Sequence, residues 1–186
     1  MKTASLENAK FLGLTVKNIK TFEGHDTMQG FNATVYIDGK KAFHAYEPAS
    51  GGCMEYRPCD GKSNYREVND LIQELEAKLL TRPKYKCHFG GKDHMFQDNL
   101  DIVIDALVSD WEWQKVITKN QGKGILIKTE QGFSTISFKA GSIHVMLKKY
   151  KHEEVINLLE KTVKRELAKG ETILNLEYLK RIGVKP

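Results

Sequence analysis

A histidine flanked by two carboxylates, in the segment EGHD from Glu23 to Asp26, has residue types that can act on a substrate. An imidazole beside carboxylates can serve as a general base or hold a divalent metal ion. His44 and Glu47, on a following predicted hairpin, are candidates to approach this loop. Gly, His and Asp are also ordinary turn residues. A metal-dependent hydrolase acting on nucleic acid or nucleotides, with His25 and Asp26 at its centre, is therefore one alternative function.

The cysteines suggest a different chemistry, which is zinc binding. Cys53 and Cys59 have five residues between them, and Cys87 directly precedes His88. Tetrahedral zinc sites favour a C-x2-4-C pair, which neither segment has, and adjacent residues on a strand face opposite ways. Free cysteines commonly pack as small hydrophobic residues, and an odd number does not make a disulfide framework. A zinc-stabilised interaction protein using Cys53, Cys59 and Cys87 is a second alternative, and no metal ligand is assigned.

The clearest chemical signal is the uneven distribution of charge. Residues 1–114 carry 14 Lys/Arg against 17 Asp/Glu, whereas residues 115–186 carry 15 against 7. A basic region indicates an anionic partner, most often nucleic acid, because each neutralised phosphate releases counterions. Solvated lysines that only favour solubility give the same composition. The candidate partner-binding residues are Lys123, Lys128, Lys139, Lys148, Lys149, Lys151, Lys164, Arg165 and Trp113.

Trp113 belongs to this set because an indole ring can stack on a base or anchor a protein partner. Its neighbour Trp111 falls on the apolar stripe of a predicted helix, so Trp113 is expected to point elsewhere. The chain contains no G-x-G-x-x-G, P-loop, G-x-S-x-G or H-E-x-x-H motif. We therefore expect a protein that is not an enzyme, with no catalytic residue and no cofactor.

The elements that position these residues follow from the spacing of apolar side chains. Alternation predicts a strand over residues 11–22, and Asp38-Gly39 predicts a hairpin because both residues accept the positive φ of a type I′ turn. A short strand is predicted over residues 53–57. A helix with one apolar stripe then begins after Ser63 or Asn64, either of which can cap it.

The second half is predicted to start after residue 92, because residues 82–93 contain Pro83 and the Gly90-Gly91 pair. Strands covered by helices, without regular β-α alternation, indicate the α+β class. The expected modules are a hairpin-plus-helix module over residues 1–92, ordered β-β-β-α, and a basic module over residues 93–186, ordered α-β-β-β-α-α. One continuous domain is the alternative. The elements predicted in the basic module are a helix over 98–117, a hairpin turning at Gln131-Gly132, a third strand over 142–149, a helix over 153–168 and a short closing helix.

Residues 97–170 resemble the double-stranded RNA-binding domain in their predicted element order, α-β-β-β-α. The resemblance implies that Lys148, Lys149 and Lys151, near the start of the last helix, hold phosphates across a groove. The segment departs from that family in its short turn at residues 130–132 and in LKKYKHEEV, which has no glycine and includes two glutamates.

The first 50 residues resemble small proteins carried by bacteriophages and mobile elements. The residues that carry this resemblance are Phe22, Gly24, His25, Gly30, Phe31, Asp38, Gly39, Lys40, Gly51 and Gly52. What the resemblance implies is an accessory protein of a mobile genome, a group that includes anti-CRISPR inhibitors of guide-loaded nucleases.

Together these patterns predict a non-enzymatic protein that binds nucleic acid or a nucleoprotein nuclease, of the phage anti-CRISPR type. No apolar run approaches the roughly 20 residues needed to span a bilayer, and the first ten residues contain no apolar stretch typical of a secretion signal. We therefore expect a location in the host cytoplasm and no membrane partner. Apolar helix faces also allow a homodimer.

Overall fold

A computed structural model of the chain describes residues 2–24, 29–59, 64–129 and 132–186. These residues form six helices and three antiparallel sheets, which confirms the predicted α+β class. The chain divides into two compact units, unit 1 (Met1–Trp111) and unit 2 (Glu112–Pro186). The junction predicted after residue 92 therefore falls inside unit 1.

Unit 1 is built around a four-stranded antiparallel sheet in which each strand pairs with the next along the chain. Asp38 and Gly39 occupy the predicted turn between the second and third strands, with φ of 48° and 78°. The strands are β1 (Leu14–Glu23), β2 (Gln29–Ile37), β3 (Lys40–Glu47) and β4 (Glu55–Pro58). One side of this sheet packs on the core of unit 1 through Phe31, Ala33, Val35, Phe43 and Ala45.

The remaining elements of unit 1 are α1 (Lys2–Phe11), α2 (Tyr65–Leu80), the strands β5 (Tyr85–Phe89) and β6 (Lys92–Phe96), and α3 (Leu100–Asn120), which continues into unit 2. The helix predicted after Asn64 is confirmed as α2. The Asn64 side chain accepts a hydrogen bond from the Glu67 backbone N–H while Glu67 accepts one from the Asn64 N–H. This capping box satisfies two donors that the helix itself leaves free.

Two elements of unit 1 were not predicted. The segment read as a junction is the β5–β6 hairpin, in which Gly90 and Gly91 form the turn with φ of 59° and 75°. Helix α1 has no apolar stripe, because its buried side includes Ser5 and Asn8. Both residues donate hydrogen bonds to the buried Asp98 carboxylate, at 3.1 and 2.8 Å.

Unit 2 consists of the hairpin β7 (Ile125–Thr129) and β8 (Gly132–Ile136) with the helices α4 (Ile143–Lys149), α5 (His152–Ala168) and α6 (Leu176–Arg181). Its core joins β7 to one side of each helix. The Asn175 side chain fastens the hairpin to the loop before α6. Its Nδ2 donates to the backbone oxygens of Gln121 (2.9 Å) and Gly124 (2.8 Å), and its Oδ1 accepts from the Leu126 N–H (3.0 Å).

The third strand predicted over residues 142–149 is wrong, because this segment is helix α4. Ile143 and Met146, three residues apart, are buried, whereas Val145 is 37% exposed. The Ser142 side chain caps the helix by accepting a hydrogen bond from the Val145 N–H. Helical spacing therefore prevailed over the apparent alternation of apolar residues. The α-β-β-β-α order of the double-stranded RNA-binding domain is consequently not present in the described residues.

Candidate functional site

The eight predicted basic residues of unit 2 are all exposed, but they occupy several separate elements. Lys148 and Lys149 end α4, and Lys151 immediately precedes α5, so these three form one short run. Lys123 lies before β7, Lys128 on β7, Lys139 after β8, and Lys164 and Arg165 on α5. The structure thus brings together one group of three.

Three of the predicted residues have neighbours that limit what they can offer a ligand. The Arg165 Nε lies 2.7 Å from the Glu166 carboxylate. Trp113 is half-buried and packs edge-on against Phe133, with ring centroids 6.1 Å apart. Lys128 lines a shallow depression of 360 Å³ together with Glu171, an opposing charge. These contacts favour packing and charge balance at three of the nine predicted positions.

A larger concavity lies in unit 1, on the side of the four-stranded sheet that faces away from the core. We call this side the polar face. Alternation along the strands places on it the side chains of Lys17, Lys20, Asn32, Thr34, His44, Tyr46 and Arg57. A cleft of 790 Å³ opens on the polar face, and its lining includes every one of these residues except Lys17.

The shape of the cleft follows from side-chain length. Its floor is formed by Asn32 and Thr34 on the central strand β2, which are short. Longer side chains rise on either side, with Lys20 on β1 and Arg57 on β4. Tyr65, the first residue of α2, stands at the rim with 61% of its surface exposed. A row of short residues between long ones leaves room for a ligand above the sheet.

Two β-bulges direct lysines onto the polar face. Lys17 pairs with Thr34 and Lys20 with Asn32, so β1 holds one more residue than β2 between these pairs. Strict alternation would place Ile19 on the polar face and Lys20 in the core; the extra residue reverses both. Asn18, within this bulge, has a φ of 54°, a conformation that asparagine tolerates better than most residues.

The second bulge lies in β3, where Val35 pairs with Phe43 but Tyr36 pairs with Lys41. The extra residue is Ala42, which packs against the core. Lys41 has the same sequence parity as the buried Phe43, so it would point toward the core without the bulge. Instead it lines the cleft.

A chain of hydrogen bonds fixes the imidazole at the floor. The Asn18 Nδ2 donates to the Thr34 Oγ1 at 3.5 Å, and Thr34 Oγ1 lies 3.3 Å from His44 Nδ1. The Thr34 hydroxyl can donate to Nδ1 or accept from it, according to the tautomer of the ring, and either bond orients the imidazole. Because this contact uses Nδ1, Nε2 is the ring nitrogen of His44 that can meet an occupant of the cleft.

An aromatic row supports the arginine. The Phe22 and Tyr46 rings stack with centroids 5.9 Å apart, and the Arg57 guanidinium lies 4.9 Å from the Tyr46 centroid. Gly30 makes this row possible, since a Cβ there would lie 2.6 Å from the Phe22 ring and 2.5 Å from the Glu47 carbonyl oxygen. The hydrogen bond from Arg57 to Glu55 raises the pKa of the guanidinium. Arg57 therefore remains positively charged, and Tyr46 and Glu55 hold it at one side of the cleft.

The electrostatic character of the cleft is cationic. Lys20, Lys41 and Arg57 contribute three positive charges, and among the residues that the structure describes no carboxylate lines the cleft. Arg57 forms an ion pair with Glu55, whose carboxylate oxygen lies 2.5 Å from the guanidinium. Anions are the chemical class that this arrangement can hold.

Among the described residues, the structure does not bring the candidates of the hydrolase and zinc alternatives together into a site. His25 and Asp26 lie outside the described residues, Glu23 is exposed at the end of β1, and His44 is in the cleft. Cys53 precedes β4, Cys59 follows it, and Cys87 lies on β5. Within the described part of the chain, no three His, Cys, Asp or Glu side chains lie close enough together to hold a metal ion.

The cleft was not predicted from the sequence, because regional net charge pointed to the basic half and residues 1–114 are slightly acidic. The signal was present in the alternation of FNATVYI and KAFHAYE, where Asn32, Thr34, His44 and Tyr46 share one side of the hairpin. The two lysines were harder to find, because the bulges that place them shift the alternation by one residue.

Comparison of the chain with protein-family models, with curated proteins and with solved structures gives no match. Of the helices in the described ranges, none has both the length and the apolar character needed to cross a membrane.

Proposed function

We propose that the protein binds nucleic acid, and that the polar face of unit 1 holds a single strand. The observation that carries this proposal is the cleft itself, in which Lys20, Lys41 and Arg57 surround the polar floor residues Asn32 and Thr34. In the described ranges of the chain, the lining contains no opposing carboxylate. Cationic grooves of this kind follow a phosphate backbone, and the affinity they give is strongly dependent on salt.

A single strand suits the polar face better than a duplex for two reasons. Single strands splay out bases that can stack on exposed rings, and the Tyr65 ring at the rim is 61% exposed. The floor also offers the Asn32 amide, which can hydrogen-bond the edge of an unpaired base. The Tyr46 ring has Phe22 on one side and Arg57 over it, so its part is to position the arginine.

The lysines of unit 2 enter this proposal as a secondary backbone contact. Lys148, Lys149 and Lys151 are exposed and close together along the chain, so they can contact neighbouring phosphates. A nucleoprotein nuclease as partner, the anti-CRISPR role, action in the host cytoplasm and a homodimer remain predictions, as do the hydrolase and zinc alternatives.

The test is fluorescence anisotropy with a labelled single-stranded oligonucleotide, as DNA and as RNA, titrated at about 50 and 200 mM salt. We expect the double variant Lys20→Gln/Arg57→Gln to lose at least about tenfold in affinity, with a shallower salt dependence. The matched control is Lys10→Gln/Lys84→Gln, which removes two exposed charges of unit 1 outside the cleft.

A triple variant, Lys148→Gln/Lys149→Gln/Lys151→Gln, measures the share of unit 2. A smaller loss than that of the Lys20/Arg57 double variant supports the polar face as the principal site. Equal affinities of the wild type and the Lys20/Arg57 double variant would overturn the proposal.

A further inference from the structure

We infer that the cleft binds a phosphate monoester, the phosphorylated end of a strand or of a nucleotide, in preference to an internal phosphodiester. This inference rests on the proposed function and names the chemical group that occupies the same site. It follows from three properties of the cleft, which are its charge, its donors and their rigidity.

The charge of the cleft matches a dianion. Its lining holds three cations, Lys20, Lys41 and Arg57, and Glu55 balances one of them through its ion pair with Arg57. Counting the described residues of the lining, two positive charges therefore remain around a single concavity. A phosphate monoester carries about −1.5 to −2 near pH 7, whereas each internal diester of a strand carries about −1.

The donors converge from three strands. Lys20 comes from β1, Lys41 and His44 from β3, and Arg57 from β4. The hydrogen bonds from Arg57 to Glu55 use Nε and Nη2, so the two N–H groups of Nη1 are not engaged in that ion pair. A monoester presents three terminal oxygens to such donors, while a diester presents two and continues along the chain in both directions.

Two of the donors, His44 and Arg57, are also held in place before a ligand arrives. Thr34, only 3% exposed, directs the His44 ring through Nδ1, and Tyr46 and Glu55 support Arg57 on two sides. Preorganised donors lose less entropy on binding, which favours a compact group that contacts both of them together.

The experiment compares single-stranded oligonucleotides of one sequence with a 5′-phosphate, a 3′-phosphate or hydroxyl groups at both ends, and a circular form without ends. We expect at least one phosphorylated form to bind roughly tenfold more tightly than the hydroxyl and circular forms. That preference should disappear in Lys41→Gln and persist in Lys40→Gln. Lys40 is the exposed neighbour of Lys41 outside the cleft, so this pair separates local position from net charge.

Three results would contradict the inference, and they differ in what else they remove. Equal binding of all four oligonucleotides, weakened by Lys20→Gln/Arg57→Gln, excludes the monoester but leaves the proposed function intact. A phosphate preference that survives in Lys41→Gln places the monoester site elsewhere. Failure of the wild type to bind any of the oligonucleotides overturns both proposals.

Discussion

The two units of this protein differ in the way that they arrange charge. Unit 1 carries 14 Lys/Arg against 16 Asp/Glu, yet the lining of its cleft, as far as the structure describes it, holds three cations and no carboxylate. Unit 2 carries 15 Lys/Arg against 8 Asp/Glu, yet its exposed lysines are distributed over several elements. The local geometry of a face, more than the net charge of a region, therefore decides where an anion can be held.

Unit 1 can be slightly acidic overall and still contain a cationic cleft, because some of its carboxylates form hydrogen bonds that hold its helices. Asp98 accepts hydrogen bonds from Ser5 and Asn8, and Tyr85 donates to it at 2.6 Å. The Glu76 carboxylate accepts from the Leu100 N–H at the start of α3. These carboxylates lie away from the cleft lining, which leaves the polar face cationic.

The variant with the largest expected effect, Asn175→Ala, tests whether the polar face still binds an oligonucleotide when unit 2 is destabilised. Asn175→Ala removes three hydrogen bonds and leaves the Leu126 N–H and two backbone oxygens without this partner. Asn175 is 2% exposed, so we expect unit 2 to lose about 3 kcal/mol in its free energy of unfolding. Amide exchange at Leu126 should accelerate about a hundredfold.

The matched control is Asn157→Ala, since Asn157 is an exposed asparagine of α5. It should leave the exchange of Leu126 nearly unchanged. If Asn175→Ala also abolished oligonucleotide binding under conditions where unit 1 stays folded, unit 2 would be the principal binding surface and the comparison would be reversed.

Much of the fold could be predicted from local signals. The Asp38-Gly39 turn, the cap at Asn64 and the helix over residues 153–168 each follow from chemistry within a few residues, and the structure confirms them. Helix α1 could not be predicted in this way, because the partner of its buried Ser5 is Asp98, 93 residues along the chain. Helix α4 was misread because a seven-residue segment fits both spacings.

The candidate site was less predictable than the fold. A β-bulge depends on the partner strand, so the alternation in TVKNIK alone does not reveal that Lys20 shares a face with His44. The cation count along the sequence predicts the same class of ligand as the proposal, an anion, but it favours the other unit. What the sequence lacked was the pairing register of the sheet.

A smaller effect is expected from Thr34→Val, which keeps the shape of the side chain and removes its hydroxyl. This variant breaks the link from Asn18 to His44 on the polar face. We expect a loss of about 1 kcal/mol in stability and a several-fold loss of affinity for the phosphorylated oligonucleotide, because the His44 ring is no longer directed. Thr21→Val, at an exposed position of β1, is the control. Equal affinities of Thr34→Val and the wild type would show that the orientation of His44 does not matter to binding.

The smallest expected effect is a difference between the two units in how their stability depends on pH. Hydrogen bonds from Lys169 and Arg165 lower the pKa of Glu166 in unit 2, so the stabilisation they give is present above the ordinary glutamate pKa and is lost as the pH falls through the lowered value. In unit 1, burial and the hydrogen bond to Asp98 raise the pKa of Tyr85 to about 12. The folded state then holds a proton that the unfolded chain releases near pH 10, so this contribution to stability declines as the pH rises from 10 toward about 12.

Through Glu166, unit 2 should therefore weaken in acid, and through Tyr85, unit 1 should weaken in alkali. Thermal unfolding across the pH range, followed by probes in each unit, measures this difference. Glu166→Gln should flatten the acid limb and Tyr85→Phe the alkaline limb, each without altering the other. If one variant moved both limbs, the two units would unfold as one cooperative body, and their contrast in charge would have no counterpart in stability.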